Sequence, residues 1–281
     1  MTTTRLVSVG DSFTEGMCDD LRPDGHHVGW ADRTALALAT GRRDEVVEYA
    51  NLAVRGKLLD GVVVEQLPVA LALDPTVLTF HAGPNDVLRR GTDLPDLFRR
   101  YDDAVARAAS GGATVLLFTS IGRAGGSGKV ATLLAERFGR FNDNVRATAS
   151  RRGALVVDLE PVDVLTDRRL WHTDRLHLDA DGHRRVAAAA LEVLGVDDPG
   201  LLGGEPGWWR LPLPPKPPTS RRADLAADAA WVHEHLLPWV GRRLRGVSSG
   251  DGRQPKDTTL RRVHPAGADL DAHADGCGHD A

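Results

Sequence analysis

The stretch Leu6-Val7-Ser8-Val9-Gly10-Asp11-Ser12-Phe13-Thr14-Glu15-Gly16 decides how this chain is read. An apolar run rich in β-branched residues stops abruptly at Gly10-Asp11-Ser12, the pattern of a buried strand that ends in a tight turn. In an open α/β sheet, ligands bind beyond the carboxyl ends of the strands. A serine at such an end exposes its hydroxyl without disturbing the core. It also suits the cap of a following helix, and this stretch alone weighs both uses evenly.

Downstream, strands and helices alternate. Strand-like runs are centred on 45–53, 76–82, 114–119 and 154–159, and helical periodicity covers about 30–40, 58–73, 94–110, 129–151 and 180–194. Pro68 is expected to kink the second of these helices. The nearly all-apolar run 114–119 reads as a central strand. Five strands alternating with helices predict a parallel sheet covered on both faces and joined by right-handed crossovers. The expected fold is therefore three-layer α/β/α, with a flavodoxin-like, five-stranded parallel sheet over residues 1–198.

The composition changes near Gly195. Residues 199–218 are dense in Pro and Gly and carry Trp208-Trp209, as expected of an extended segment packed across the domain surface. Leu225, Ala229, Val232, Leu236, Leu237, Val240 and Leu244 then recur at helical spacing, with Pro238 among them. The extension is thus assigned to 199–246. Residues 247–281 hold few large apolar side chains and are expected to form a disordered tail whose deletion leaves stability unchanged.

Global properties exclude several function classes. The chain has 281 residues, with 42% hydrophobic and 26% charged, and a net charge of −4. Acidic residues interleave with basic ones, so no nucleic-acid surface is expected. No apolar run reaches the length of a membrane span, and no secretory leader is read at the N-terminus. With only Cys18 and Cys277, a disulfide framework is not expected, and a reducing cytoplasm is the expected compartment.

Four strand ends carry residues useful to acyl transfer: Ser12, Gly56, Asn85 within Gly83-Pro84-Asn85-Asp86, and the pair Asp174 and His177. Each has an ordinary structural use, as a turn glycine, a helix cap or a surface histidine. Together, in chain order, they resemble the SGNH hydrolases, also called GDSL esterases and lipases, over about residues 5–195. The family's Gly-Asp-Ser-Leu stands here as Gly10-Asp11-Ser12-Phe13.

The resemblance implies a triad of Ser12, His177 and Asp174, and an oxyanion hole built from the N–H groups of Ser12 and Gly56 and the side-chain amide of Asn85. Those types suit the chemistry. A serine hydroxyl needs a base, an imidazole needs an acceptor to fix its tautomer, and an asparagine amide donates without charge. Asp11 and Asp86 are expected to organise the site through hydrogen bonds. The expected activity is hydrolysis of small carboxylic esters, with short acyl chains, through an acyl-enzyme, without metal or cofactor. Deacetylation of O-acetylated sugars or metabolites is the alternative within that chemistry, and a catalytically inactive binding module is the alternative outside it.

Three other features are set aside. Gly125-Gly126-Ser127-Gly128-Lys129 lacks the Ser or Thr of a phosphate-binding loop, since Val130 follows, and Arg123 occupies the first glycine position. His273, Cys277 and His279 form an isolated tail cluster with no second cluster to close a metal site. His183 is expected on the surface of the last helix of the domain.

Overall fold

The computed structural model describes residues 2–122, 128–215, 228–236, 238, 241 and 249–266. The loop 123–127 and the tail cluster of His273, Cys277 and His279 lie outside the described residues, as does most of the expected helix near 221–245.

Strand β1 (Thr3–Gly10) runs between β2 (Val46–Asn51) and β3 (Val77–His81), and β4 (Thr114–Phe118) and β5 (Leu155–Val157) follow outward from β3, all in parallel. The order β5-β4-β3-β1-β2 is the doubly wound one expected from the alternation of elements. Successive side chains enter opposite cores, as the two-residue strand period requires. Leu6, Tyr49, Leu116 and Phe118 join one cluster with α2 (Gly29–Gly41) and α8 (Ala180–Val193). Val7, Val9, Leu78 and Leu117 join the other, with α6 (Leu94–Ala109) and α7 (Lys129–Arg152). Two short helices complete the edges of the site, α1 (Ser12–Glu15) and α5 (Pro84–Val87).

The expected helix near 58–73 is broken into three. It comprises α3 (Leu59–Gly61), a π-helical turn Val62–Gln66 and α4 (Leu67–Ala72), with Pro68 in the first turn of α4. A proline is tolerated there because the first N–H groups of a helix have no intrahelical partner. Gln66, at the end of this turn, is buried, and its amide bonds the end of β1.

The sheet has six strands, not five. The sixth, β6 (Asp257–Val263), pairs antiparallel with β2 at the sheet edge, and it comes from the stretch that composition assigns to a disordered tail. Buried charge anchors it. The Lys256 ammonium, with its side chain 1% exposed, sits 2.6 Å from Asp32 and donates to the carbonyls of Glu15, His27 and Val28. Asp257 pairs with Arg22 at 2.9 Å. Low apolar content misleads here, because a strand that fills a sheet edge needs mainly backbone hydrogen bonds and a few matched ions.

The Trp-rich part of the extension packs beside α8. Trp209 is buried, and the Arg185 guanidinium donates to the carbonyls of Trp209 (2.8 Å) and Leu211 (2.9 Å) while lying over the Trp208 ring.

Candidate active site

Ser12 sits where β1 turns into α1. Asp11 caps that helix, its carboxylate accepting from the Phe13 N–H at 3.1 Å. Gly10 makes the turn possible, since a Cβ there would lie 2.6 Å from both the His81 carbonyl and the Thr14 hydroxyl. The Gln66 amide clamps the strand end from both sides, accepting from the Gly10 N–H at 2.7 Å and donating to the Gly10 carbonyl at 2.9 Å. Gln66 is missing from the sequence-based site, although it had a signal. It occupies an apolar position of a helical pattern, and a polar residue at such a position needs a partner.

His177 and Asp174 come together as expected. His177 Nδ1 lies 2.7 Å from Asp174 Oδ2, while Asp174 Oδ1 accepts the N–H groups of Leu176 (2.9 Å) and His177 (3.1 Å). A carboxylate partner places the proton on Nδ1 and leaves Nε2 as the basic nitrogen. Burial by itself would raise the Asp174 pKa. The His177 hydrogen bond and charge, with the two backbone N–H groups, outweigh it and hold the carboxyl well below its usual range.

Ser12, Asn85 and His177 line one cavity of about 110 Å³, together with Asp11, His81 and Trp171. Among the described residues no hydrogen bond joins Ser12 to His177. Asp174 lies behind His177, and Gly56 lies off the cavity wall in a turn with φ +75°. The left-handed backbone at Gly56 is one that glycine adopts without strain. The loop before it is held by Glu15, whose carboxylate accepts the Arg55 N–H at 2.6 Å and pairs with its guanidinium.

Asn85 is more occupied than its type implies. Its Nδ2 donates to Asp11 Oδ2 (3.1 Å) and to the Lys57 carbonyl (3.0 Å). Asp11 therefore joins the α1 N-terminus to Asn85, and the His81 ring lies beside it, its Nδ1 3.3 Å away and without a hydrogen bond. Asp86 faces away from the cavity and accepts the Leu59 N–H at 2.9 Å, tying α5 to the start of α3. Burial raises its pKa.

His183 corrects a sequence expectation. It is buried rather than on the surface, its Nε2 donating to the Met17 carbonyl (3.0 Å) and its Nδ1 accepting from the Trp30 N–H (3.3 Å). Burial lowers its pKa to about 4, so it pins α8 to the loop after Ser12 as a neutral ring.

Cys18, His172 and Asp174 bring potential ligand atoms within 4.8 Å of one another. The Asp174 carboxylate is already engaged by His177. The Cys18 thiol, 3.7 Å from Asp174, is pushed up to about 12 by burial and by that carboxylate, and so remains a protonated donor.

The model of the GDSL-like lipase/acylhydrolase family matches residues 8–185. A search of curated proteins returned no match. Among solved structures, the chain is similar to Axe2, an acetylxylan esterase from Geobacillus stearothermophilus, with 20% identity, a TM-score of 0.55, and 68% of this chain and 94% of that one covered. It is also similar to the psychrotrophic esterase EstA from Pseudoalteromonas sp., with 14% identity, a TM-score of 0.54, and coverage of 68% and 97%. A third is LAE5, an alpha/beta hydrolase enzyme from the metagenome of Lake Arreo, Spain, with 23% identity, a TM-score of 0.56, and coverage of 68% and 95%. At these identities the likeness shows the fold. Among the described residues, no helix is long and apolar enough to cross a membrane.

Proposed function

This chain belongs to the GDSL-like lipase/acylhydrolase family as an SGNH-type carboxylic ester hydrolase, and we propose that it acts on small esters with short acyl chains through an acyl-enzyme on Ser12. The observation that carries this reading is the His177–Asp174 pair at 2.7 Å beside a cavity shared by His177 and Ser12.

The steps follow from the groups present. His177 Nε2 takes the Ser12 proton as Oγ attacks the ester carbonyl, and Asp174 stabilises the imidazolium that forms. The imidazolium returns the proton to the leaving alcohol as the C–O bond breaks. Water, activated by the same imidazole, then attacks the acyl-serine and releases the acid. The developing oxyanion is assigned to the N–H groups of Ser12 and Gly56 and to the Asn85 amide. For Asn85 to take part, one of its N–H groups exchanges its present acceptor, Asp11 or the Lys57 carbonyl, for the oxyanion.

A second reading, deacetylation of O-acetylated sugars, is favoured by the small cavity and by the likeness to Axe2, an acetylxylan esterase. A binding module without turnover is the reading these groups argue against.

The test is covalent labelling by a fluorophosphonate, followed by a panel of p-nitrophenyl esters of increasing chain length. Labelling is expected in the wild type and absent in Ser12→Ala, with rates falling as the acyl chain lengthens. An unlabelled, inactive wild type would overturn the serine-esterase reading, and faster turnover of long chains would overturn the short-acyl one.

A further inference from the structure

The family match ends at residue 185, and the solved relatives named above cover 68% of this chain. Residues that follow α8, beyond the family match, reach the Asp174–His177 loop. Trp231 Nε1 donates to the Asp174 carbonyl at 2.8 Å. Asp228, one helical turn earlier, pairs with Arg175 at 2.7 Å and with Arg168 at 3.6 Å. The Arg175 guanidinium lies 5.0 Å from the centre of the Trp231 ring. Arg175 directly follows the triad acid and holds φ +57°, a left-handed backbone that a non-glycine residue keeps only where its surroundings fix it.

From these contacts we infer that the C-terminal extension is a working part of the esterase site, with Trp231 as a positioning residue that clamps the Asp174–His177 loop from outside. The inference rests on the serine-esterase reading. Trp231 touches no reacting atom. It fixes the Asp174 carbonyl, and Asp228 fixes the next side chain, so the peptide on which the Asp174 carboxylate is mounted is held at both sides. The carboxylate holds the His177 ring through one 2.7 Å hydrogen bond to Nδ1, and a displacement of well under an ångström weakens such a bond. Orientation of the base matters in the transition state more than in the bound ester, so loss of the clamp lowers kcat and spares KM.

The same extension also braces the loop before Gly56. Gly250 packs so closely on the Arg55 carbonyl that a Cβ would fall 1.9 Å from it, and Lys256 donates to the carbonyl of Glu15, whose carboxylate holds Arg55.

The experiment compares the full-length wild type with Trp231→Phe, which keeps an aromatic ring and removes the N–H, and with Asp228→Asn, an exposed change that removes the charge. Steady-state hydrolysis of p-nitrophenyl acetate, thermal melting and the low-field proton resonance of the His177–Asp174 hydrogen bond are measured for each. The expected result is a kcat lower by about 10-fold in Trp231→Phe and about threefold in Asp228→Asn, with KM within about twofold. The low-field resonance should broaden or shift in both, and melting should stay near wild type. Should Trp231→Phe fail to fold, Asp228→Asn decides.

Unchanged kcat and an unchanged resonance in the folded variants would overturn the inference. A wild type that neither hydrolyses esters nor reacts with a fluorophosphonate would overturn the serine-esterase reading instead. In that case the proton resonance alone still reports whether the clamp holds the loop.

Discussion

The turn at 10–16 and the extension beyond residue 199 border the same site, yet they are built by opposite means. The turn takes its shape locally. A backbone that tolerates no Cβ at Gly10 and the Asp11 cap on the Phe13 N–H set it, and Gln66 and Asn85 then meet it from across the fold. The extension is held by partners more than fifty residues away, as in Trp231 with Asp174, or more than two hundred, as in Lys256 with Asp32. One depends on residue type at fixed spacing, and the other on charges that meet only after the chain has folded. Each can be broken separately.

The largest effect is expected at the turn. Ser12→Ala should lower kcat by at least about 10⁴-fold and abolish covalent labelling, because removal of a triad nucleophile disables the whole unit. Melting should be unchanged, as Ser12 makes no side-chain hydrogen bond among the described residues. Substantial residual turnover would move the chemistry elsewhere.

Next is Asn85→Ala, expected to cost on the order of 10²–10³ in kcat, the usual effect of losing one oxyanion donor. Asn85→Asp is a less clean variant, because it would place a second carboxylate about where Nδ2 now lies 3.1 Å from Asp11. A kcat within about threefold of wild type in Asn85→Ala would make Asn85 a scaffold for Asp11 and the Lys57 carbonyl only.

The extension is tested through its buried ion pair. Lys256→Met leaves Asp32 in the interior without its nearest cation, and breaking a buried pair costs roughly 3–5 kcal/mol. The lower end is expected here, since Arg22 at 3.5 Å and Arg261 at 3.4 Å remain near Asp32. Deletion from residue 249 onward, neutral by composition alone, should cost at least as much, because it also uncovers the β2 edge. Unfolding in urea measures both. A loss below about 1 kcal/mol would mean that the extension is loosely attached.

The smallest effect concerns His183 and appears as pH dependence. Its folded pKa, near 4, is below the ordinary 6.5, so the unfolded chain binds a proton that the folded ring refuses. Stability due to this residue is therefore full above about pH 6.5 and falls as the pH drops toward 4. Replacement by Gln should flatten that part of the stability profile while leaving esterase activity measurable. An unchanged profile would mean that the buried ring takes up its proton as readily as the unfolded one.

His177 and His183 show how far a sequence can be read. Both lie near the end of the domain, six residues apart. His177 was singled out by the family resemblance, whose motif pairs it with Asp174 three residues earlier, and the two lie 2.7 Å apart. His183 has no such local partner. Its acceptor and donor, at Met17 and Trp30, are more than 150 residues distant, so its burial had no sequence signal. The same contrast separates the five parallel strands, announced by apolar runs, from β6. That strand carries two arginines and an aspartate and is stabilised by backbone pairing at an edge.

By itself, the sequence determined the alternation of strands and helices, the order of the parallel sheet and the residue types gathered at its strand ends. All of these follow from hydrophobic period and short-range spacing. Only the tertiary structure decided that Asp11 bonds Asn85, that Gln66 clamps the serine-bearing strand and that the C-terminal chain returns to complete the sheet and touch the Asp174–His177 loop. Those contacts depend on buried polar groups finding partners across long stretches of chain. The cost of leaving such a group unpaired is set by where the fold places it, which residue spacing does not encode.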